Sequence, residues 1–316
     1  MRQAACLGVA AALAALVPAA SAAGAHASSF EPEATLRRAD RVAVLSLARA
    51  GNRLVAAGER GRILLSDDHG ASWKVATTPT FHTITSISFR DAKTGFATGH
   101  QAVLLRTDDA GTTWKEVTIS VKDRPALFAV RVEGDRGIAV GAYGAYLESA
   151  DGGRSWTSRH VGPPDFDRHL TGIAPLGANR YLLAGEAGTV LSSNDGGASW
   201  QLLKAPYEGS FFGAIGLANG AAIAYGMRGN AFRTADGGRS WTRIDLGAYK
   251  GALQGAAELG DRVVLAGADG MVAESRDGGV TFMVKPLASR ALVAALVRDA
   301  LGRLLLAGPS GLRRAD

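Results

Sequence analysis

Six aspartates recur along the chain in a nearly constant setting, and carboxylates are the side chains that bind hard metal ions or cleave glycosidic bonds. They are Asp68, Asp109, Asp151, Asp195, Asp236 and Asp277. Each is the third residue of an octet of the form Ser/Thr-x-Asp-x-Gly-x-Ser/Thr-Trp, with Phe282 in place of Trp in the last copy. The octet reads SADGGRSW at 149–156 and TADGGRSW at 234–241. Two roles are open for them: a ligand site used several times, or a turn that each copy of a repeating unit needs.

The pattern within each octet favours the structural role. A calcium site needs several oxygens converging from one loop, which one carboxylate per octet does not supply. An aspartate early in a turn accepts backbone N–H groups, and the glycine two residues later is free to take a positive φ. The octet resembles the Asp box, or bacterial neuraminidase repeat, a structural hairpin in propellers of unrelated function. We therefore predict six structural aspartates, with no metal and no cofactor.

The remaining carboxylates do not form a recognisable catalytic pair. Asp165 and Asp167 lie in GPPDFDRHL, near His160 and His169; this group is either a metal or acid–base site or a set of solvated residues on a long loop. The other candidates are Glu186, Glu208 and Asp269. The sequence has no Gly-x-Ser-x-Gly, His-Glu-x-x-His or phosphate-loop motif. We predict that the protein is not an enzyme; the alternative is a glycan-binding or glycoside-hydrolysing, sialidase-like propeller.

A second motif, Gly-x-x-Gly, keeps the same period as the octet and reveals the repeating unit. It begins at Gly58, Gly141, Gly185, Gly226, Gly267 and Gly308, and a variant with Ala102 begins at Gly99. Within the unit 82–118, four short strands are predicted around these turns, beginning with HTITSISF. Seven such units predict an all-β fold, a single seven-bladed β-propeller with four-stranded antiparallel blades. The last unit lacks an octet, so we predict that residues 30–38 join the last blade and close the ring.

Basic residues are more frequent at the predicted starts of the inner strands than the composition of the chain predicts. Seven three-residue windows there contain Arg41, His82, Arg124, Arg168, His169, Lys250 and Arg290. The same loops carry aromatic residues: Phe81, Phe128, Tyr143, Phe166, Tyr207, Phe211, Phe212 and Tyr249. A basic, aromatic-rich surface is typical of protein recognition, and ordinary solvated charges at strand ends are the alternative. We call the seven basic residues the basic mouth and predict that they bind an acidic segment of a protein partner.

The N-terminus predicts export. Arg2 precedes an apolar run ending near Val17, followed by small residues that offer cleavage sites near 22–27. We predict a signal peptide at 1–27, a propeller at 28–316, and a periplasmic or otherwise exported monomer. The only cysteine, Cys6, precedes the apolar run, which argues against a lipoprotein. No later stretch is predicted to cross a membrane. The net charge of +6 is spread over both signs without a basic block, which argues against a nucleic-acid partner.

Seven such units after a signal peptide resemble the photosystem II stability/assembly factor family of seven-bladed propellers. The best-matching stretch is TITSISFRDAKTGFATGHQAVLLRTDDAGTTW at 83–114. The resemblance implies an assembly factor that binds a membrane protein through a basic face. It implies no individual contact residues, because no residue-level motif carries them over.

Overall fold

The described strands form seven antiparallel sheets that follow one another along the chain. A computed structural model describes residues 35–36, 41–177 and 179–314, so the predicted signal peptide at 1–27 lies outside the described residues. Each sheet is one blade, and its strands pair in chain order from the inner to the outer edge, apart from one short N-terminal strand that is added at the outer edge of the first blade. The prediction of an all-β, seven-bladed propeller is confirmed.

The bounds of the strands repeat from blade to blade. Blade 1 contains β1 (Thr35–Leu36), β2 (Val44–Ala50), β3 (Arg53–Gly58), β4 (Ile63–Ser66) and β5 (Trp73–Val75). Blade 2 contains β6 (Ile84–Phe89), β7 (Gly95–Gly99), β8 (Leu104–Thr107) and β9 (Lys115–Glu116). Blade 3 contains β10 (Leu127–Glu133), β11 (Arg136–Gly141), β12 (Tyr146–Ser149) and β13 (Thr157–Ser158). Blade 4 contains β14 (Leu170–Pro175), β15 (Tyr181–Gly185), β16 (Val190–Ser193) and β17 (Gln201–Leu202).

The remaining blades follow the same plan. Blade 5 contains β18 (Phe211–Gly216), β19 (Ala222–Gly226), β20 (Ala231–Thr234) and β21 (Thr242–Arg243). Blade 6 contains β22 (Leu253–Leu259), β23 (Arg262–Gly267), β24 (Val272–Ser275) and β25 (Met283–Val284). Blade 7 contains β26 (Ala295–Arg298), β27 (Leu304–Gly308) and β28 (Gly311–Arg314). Five short 3₁₀ turns join second to third strands: Glu59–Gly61, His100–Ala102, Ala142–Gly144, Met227–Gly229 and Ala268–Gly270.

The Gly-x-x-Gly turn exists because two backbone segments meet there. In blade 3, the N–H of Ala142 donates to the carbonyl of Ala126, which precedes the inner strand, at 2.8 Å. A Cβ on Gly141 would overlap that carbonyl oxygen, so only glycine permits the approach. Two residues later, Tyr143 takes a left-handed φ of 55°. The motif therefore fixes the second-to-third-strand turn against the start of the inner strand.

Among the described residues, the core consists of seven hydrophobic clusters, one at each interface between neighbouring blades. The second strands are almost completely buried, as in β7 and β15, because a blade covers each of their faces. The ring closes in the same way as the other interfaces. Val44 and Leu54 of blade 1 pack with Leu305 and Leu312 of blade 7 in one cluster.

The prediction that residues 30–38 complete the last blade is wrong for the part that the structure describes. Thr35 pairs with Lys74 and Leu36 with Trp73, so β1 extends the outer edge of blade 1 and not β28. Blade 7 has three strands among the described residues. The physical reason is that face-to-face apolar packing between blades 7 and 1 already closes the ring. An outer strand would add hydrogen bonds only at the rim of the blade.

Candidate functional site

One face of the propeller collects the structures that the sequence singled out for binding. Because the strands of a blade are antiparallel, the connections between blades and the Gly-x-x-Gly turns lie at the same end of each sheet; we call this the connection face. The octets and the hairpins between first and second strands lie at the opposite end. In blade 3, for example, the octet residue Gly152 donates its N–H to the carbonyl of Asp135 in that hairpin, at 2.9 Å.

The structure places all seven basic-mouth residues on the connection face, each just before an inner strand. Six of them are exposed and His169 is half-buried. Two of the arginines are held in place by neighbouring turns. Arg124 Nε donates to the carbonyl of Gln101 at 3.2 Å, and Arg168 Nη1 donates to the carbonyl of Ala187 at 3.1 Å. Each guanidinium keeps further N–H donors for a ligand.

The sequence reasoning missed basic residues at the centre of the Gly-x-x-Gly turns. Arg60 and Arg228 are exposed there, with φ of 56° in both cases, and His100 is exposed in the turn of blade 2. A signal was available, because the third residue of each of these turns is exposed, and Arg60 and Arg228 occupy that position. The face also carries acidic residues: Glu59, Asp165, Asp167, Glu186, Glu208 and Asp269. Its charge is therefore mixed around the ring.

Aromatic side chains on this face divide into exposed and packed groups. Phe81, Tyr143 and Phe212 are 58%, 73% and 37% exposed. Phe211 is buried in the core, and Phe166, Tyr207 and Tyr249 pack against clusters between blades. Phe128 is half-buried and, with Phe212, lines the central channel, a cavity of about 450 Å³ between the inner strands.

His169 links two of these aromatic residues. Its ring lies 4.9 Å from that of Tyr143 in an edge-to-face arrangement and 6.0 Å from that of Phe128. The backbone N–H of Tyr143 donates to His169 Nδ1 at 3.1 Å. Glu186 accepts the backbone N–H of His169 at 2.9 Å. These contacts join blades 3 and 4 at the rim of the channel.

The octet aspartates lie in hairpins on the opposite face, where their carboxylates accept local hydrogen bonds. Asp151 Oδ2 accepts the Ser155 hydroxyl at 2.6 Å, and Oδ1 accepts the Ser155 N–H at 3.0 Å and the Ser149 hydroxyl at 2.8 Å. These bonds, led by that of the Ser155 hydroxyl, hold the pKa of Asp151 well below its usual range. The equivalent bonds, the Ser240 hydroxyl first, lower the pKa of Asp236 to about 2.

Each octet also bonds to the preceding blade through a carbonyl at its fourth or fifth residue. Five of the six donors are arginines. The pairs are Arg314 to His69, Arg53 to Ala110, Arg90 to Gly152, Arg159 to Gly197, Ser192 to Gly237 and Arg233 to Gly278. We call these six bonds the interblade clamp. Five of the chain's 28 arginines therefore join neighbouring blades.

Two of the other candidate side chains, His160 and Glu186, make local hydrogen bonds. His160 Nε2 lies 2.5 Å from the carbonyl of Pro163 within its own loop, and Glu186 bonds to His169. Over residues 41–177 and 179–314, no group of three or more His, Cys, Asp or Glu side chains is arranged to hold a metal ion. In the same part of the chain, no helix has the length and hydropathy to span a bilayer.

Comparison with known proteins confirms the resemblance to the photosystem II stability/assembly factors. Residues 65–164 match the family described as photosynthesis system II assembly factor YCF48. No curated protein matches the chain.

Solved structures similar to this chain include a YCF48 bound to a D1 peptide, with a TM-score of 0.71 and 15% identity over 92% of this chain and 97% of that one. YCF48 from Cyanidioschyzon merolae has a TM-score of 0.68 and 16% identity over 86% and 94%. The WD40 propeller domain of Doa1 has a TM-score of 0.69 and 12% identity over 91% and 96%. At these identities the likeness shows the fold.

Proposed function

We propose that this protein is a non-catalytic, exported propeller that binds a segment of an envelope membrane protein and scaffolds or stabilises its assembly. The observation that carries the proposal is the connection face, where seven basic residues and three exposed aromatic side chains share one end of a ring. Exposed Arg and aromatic side chains are the residues that dominate protein–protein binding energy. Basic residues around a common opening also favour the approach of an acidic segment, and the carboxylates between them reduce this attraction.

Two comparisons support a protein partner. The matched family is one of assembly factors, and a structurally similar YCF48 is bound to a D1 peptide. Export is supported by the N-terminal sequence, with its apolar run and small-residue cleavage sites. A monomeric state is proposed because the ring closes on itself and needs no second copy.

The proposal is tested by capture from an envelope extract with the purified mature protein. We expect a membrane-protein partner whose binding weakens as the ionic strength rises through about 0.15 M, where charges are screened over roughly 8 Å. The double variant Arg124→Glu with Arg168→Glu should slow association at least about tenfold and leave the melting temperature nearly unchanged, because both side chains are exposed.

A matched control reverses two exposed arginines on the octet side, Arg154→Glu with Arg239→Glu, and should bind like the wild type. Equal loss of binding in both double variants would contradict the assignment of the connection face. Steady turnover of sialosides or glucans by the purified protein would favour the glycoside-hydrolysing alternative and overturn the proposal.

A further inference from the structure

The mouth of the channel between blades 3 and 4 carries a continuous aromatic surface. It consists of Tyr143, His169 and Phe128, joined by the ring contacts described above, and we call it the aromatic crescent. Tyr143 is 73% exposed at its outer end, and Phe128 reaches the channel at its inner end. Exposed aromatic surface at the edge of a cavity is favourable for receiving an apolar side chain from a partner.

The hydrogen bonds of His169 give the crescent a defined polar group. Since Nδ1 accepts the N–H of Tyr143, the neutral imidazole carries its proton on Nε2. Nε2 is then a donor, held in position by the two rings that flank the imidazole. The crescent therefore offers apolar contact together with one N–H donor.

Two arginines flank the crescent along the ring of connections. Arg124 precedes the strand of Phe128, and Arg168 directly precedes His169. Each is tied by one bond to a turn carbonyl, which limits the side-chain entropy lost when the guanidinium binds a carboxylate. Three carboxylates also lie here. That of Glu186 accepts the backbone N–H of His169, and Asp123 pairs with Lys122 at 3.9 Å, while exposed Asp167 directly precedes Arg168. The site therefore matches an apolar group with acidic groups close on either side.

We infer that the aromatic crescent is an anchor site for an extended acidic segment of the partner, and that it takes a phenylalanine- or leucine-like side chain placed between carboxylates. The inference rests on the proposed function and names the chemistry of its partner. The channel of about 450 Å³ has room for one or two side chains, which fits an extended segment and not a folded domain. The arginines bind the acidic groups, and the crescent selects the apolar residue between them.

Two blocked synthetic pentapeptides test this. Both have two acidic residues on each side of a central residue, which is Phe in one and Ser in the other. By fluorescence anisotropy at low salt, the Phe peptide should bind the full mature protein about tenfold more tightly than the Ser peptide. Tyr143→Asn should reduce this preference to about twofold or less. Asparagine tolerates the left-handed φ of 55°, so the turn is preserved. Phe128→Ala should have the same effect from the inner end.

Arg228→Asn is the matched control, because Arg228 occupies the equivalent turn position in blade 5 with φ of 56°. It should weaken both peptides similarly and leave the preference for Phe intact. If both peptides bind wild type equally, or if Tyr143→Asn keeps the tenfold preference, the crescent is not the anchor while the basic-mouth proposal stands. If neither peptide binds, the inference is overturned, and the capture experiment decides the proposed function separately.

Discussion

At the scale of single residues, the octet aspartates act as local acceptors that replace missing backbone partners in a tight hairpin. Asp151 accepts three hydrogen bonds from Ser149 and Ser155. The glycine two positions on, Gly153, has a φ of 80° and faces the ring of Phe96 in the preceding blade. A side chain there would be strained and would also overlap Phe96. One short motif thus shapes its own turn and packs it on the neighbouring blade.

Removing an octet carboxylate should therefore lower stability without removing a binding function. We expect Asp151→Ala to reduce the free energy of unfolding by about 1–2 kcal/mol. The Ser155 and Ser149 donors lose the carboxylate that accepts their hydrogen bonds, and water accepts only some of these bonds in its place. Chemical denaturation measures the change, with the exposed Asp165→Ala as control. Unchanged stability together with lost partner binding would show that the octet is a ligand site.

The octets also predict how stability depends on pH. The pKa of Asp236 is lowered to about 2, chiefly by the Ser240 hydroxyl. Burial raises the pKa of Asp68, but hydrogen bonds from Ser72, Ser66 and Ala71 together lower it to about 2. A carboxyl whose pKa is depressed on folding adds stability above its unfolded value near 3.9, and this is lost as the pH falls through the folded value. The melting temperature should fall between about pH 4 and pH 2. Asp236→Asn should show a shallower fall, and parallel curves would contradict the assignment.

At the scale of elements, blades are joined by the interblade clamp as well as by apolar packing. Arg233 Nε on β20 donates to the carbonyl of Gly278 in the next octet at 3.0 Å. Arg53 uses the same device on β3 and also pairs with Asp67 at 2.6 Å. Because the accepting carbonyl has nearly the same position in each octet, donors from different strands and loops of the preceding blade can bind it.

An arginine that donates in the clamp should contribute more to the free energy of unfolding than an exposed arginine of the same blade. Arg233→Met keeps most of the aliphatic stem and removes the donor, so we expect a loss of about 1 kcal/mol in unfolding free energy. Arg239→Met changes an exposed residue and should stay within about 0.5 kcal/mol of wild type. Equal values for the two variants, measured by denaturation, would show that the clamp does not contribute.

At the scale of the whole molecule, closure by packing makes the interface of blades 7 and 1 equivalent to the other six. Leu305 lies 3% exposed in that interface, beside Leu54 and Trp73. We therefore expect a defect in this interface to destabilise the whole ring.

Leu305→Ala should destabilise the protein by about 2–5 kcal/mol, the range for a cavity left by a buried leucine. Leu301→Ala in the same blade is the control, since Leu301 is 64% exposed and should change stability by about 0.5 kcal/mol or less. Thermal unfolding followed by tryptophan fluorescence tests both. A similar small effect of the two substitutions would mean that other contacts close the ring.

The sequence by itself determined the number of blades, the four-strand pattern and the position of the turns. These depend on local causes, namely the alternation of apolar residues, the glycines required at the Gly-x-x-Gly turns, and the fixed repeat length. It also placed the seven basic residues at one end of the sheets, because residues at equivalent positions in repeats occupy equivalent positions in the ring.

Only the tertiary structure decided the contacts between residues that are distant in sequence. Tyr143, His169 and Phe128 meet because adjacent blades pack, and no spacing rule links them. Arg159 and Arg233 donate to carbonyls of the next blade, and the sequence does not show which carbonyls that blade places within their reach. The position of β1 on blade 1 was likewise undetermined, since an exposed strand edge offers the same hydrogen bonds to any extended segment that reaches it.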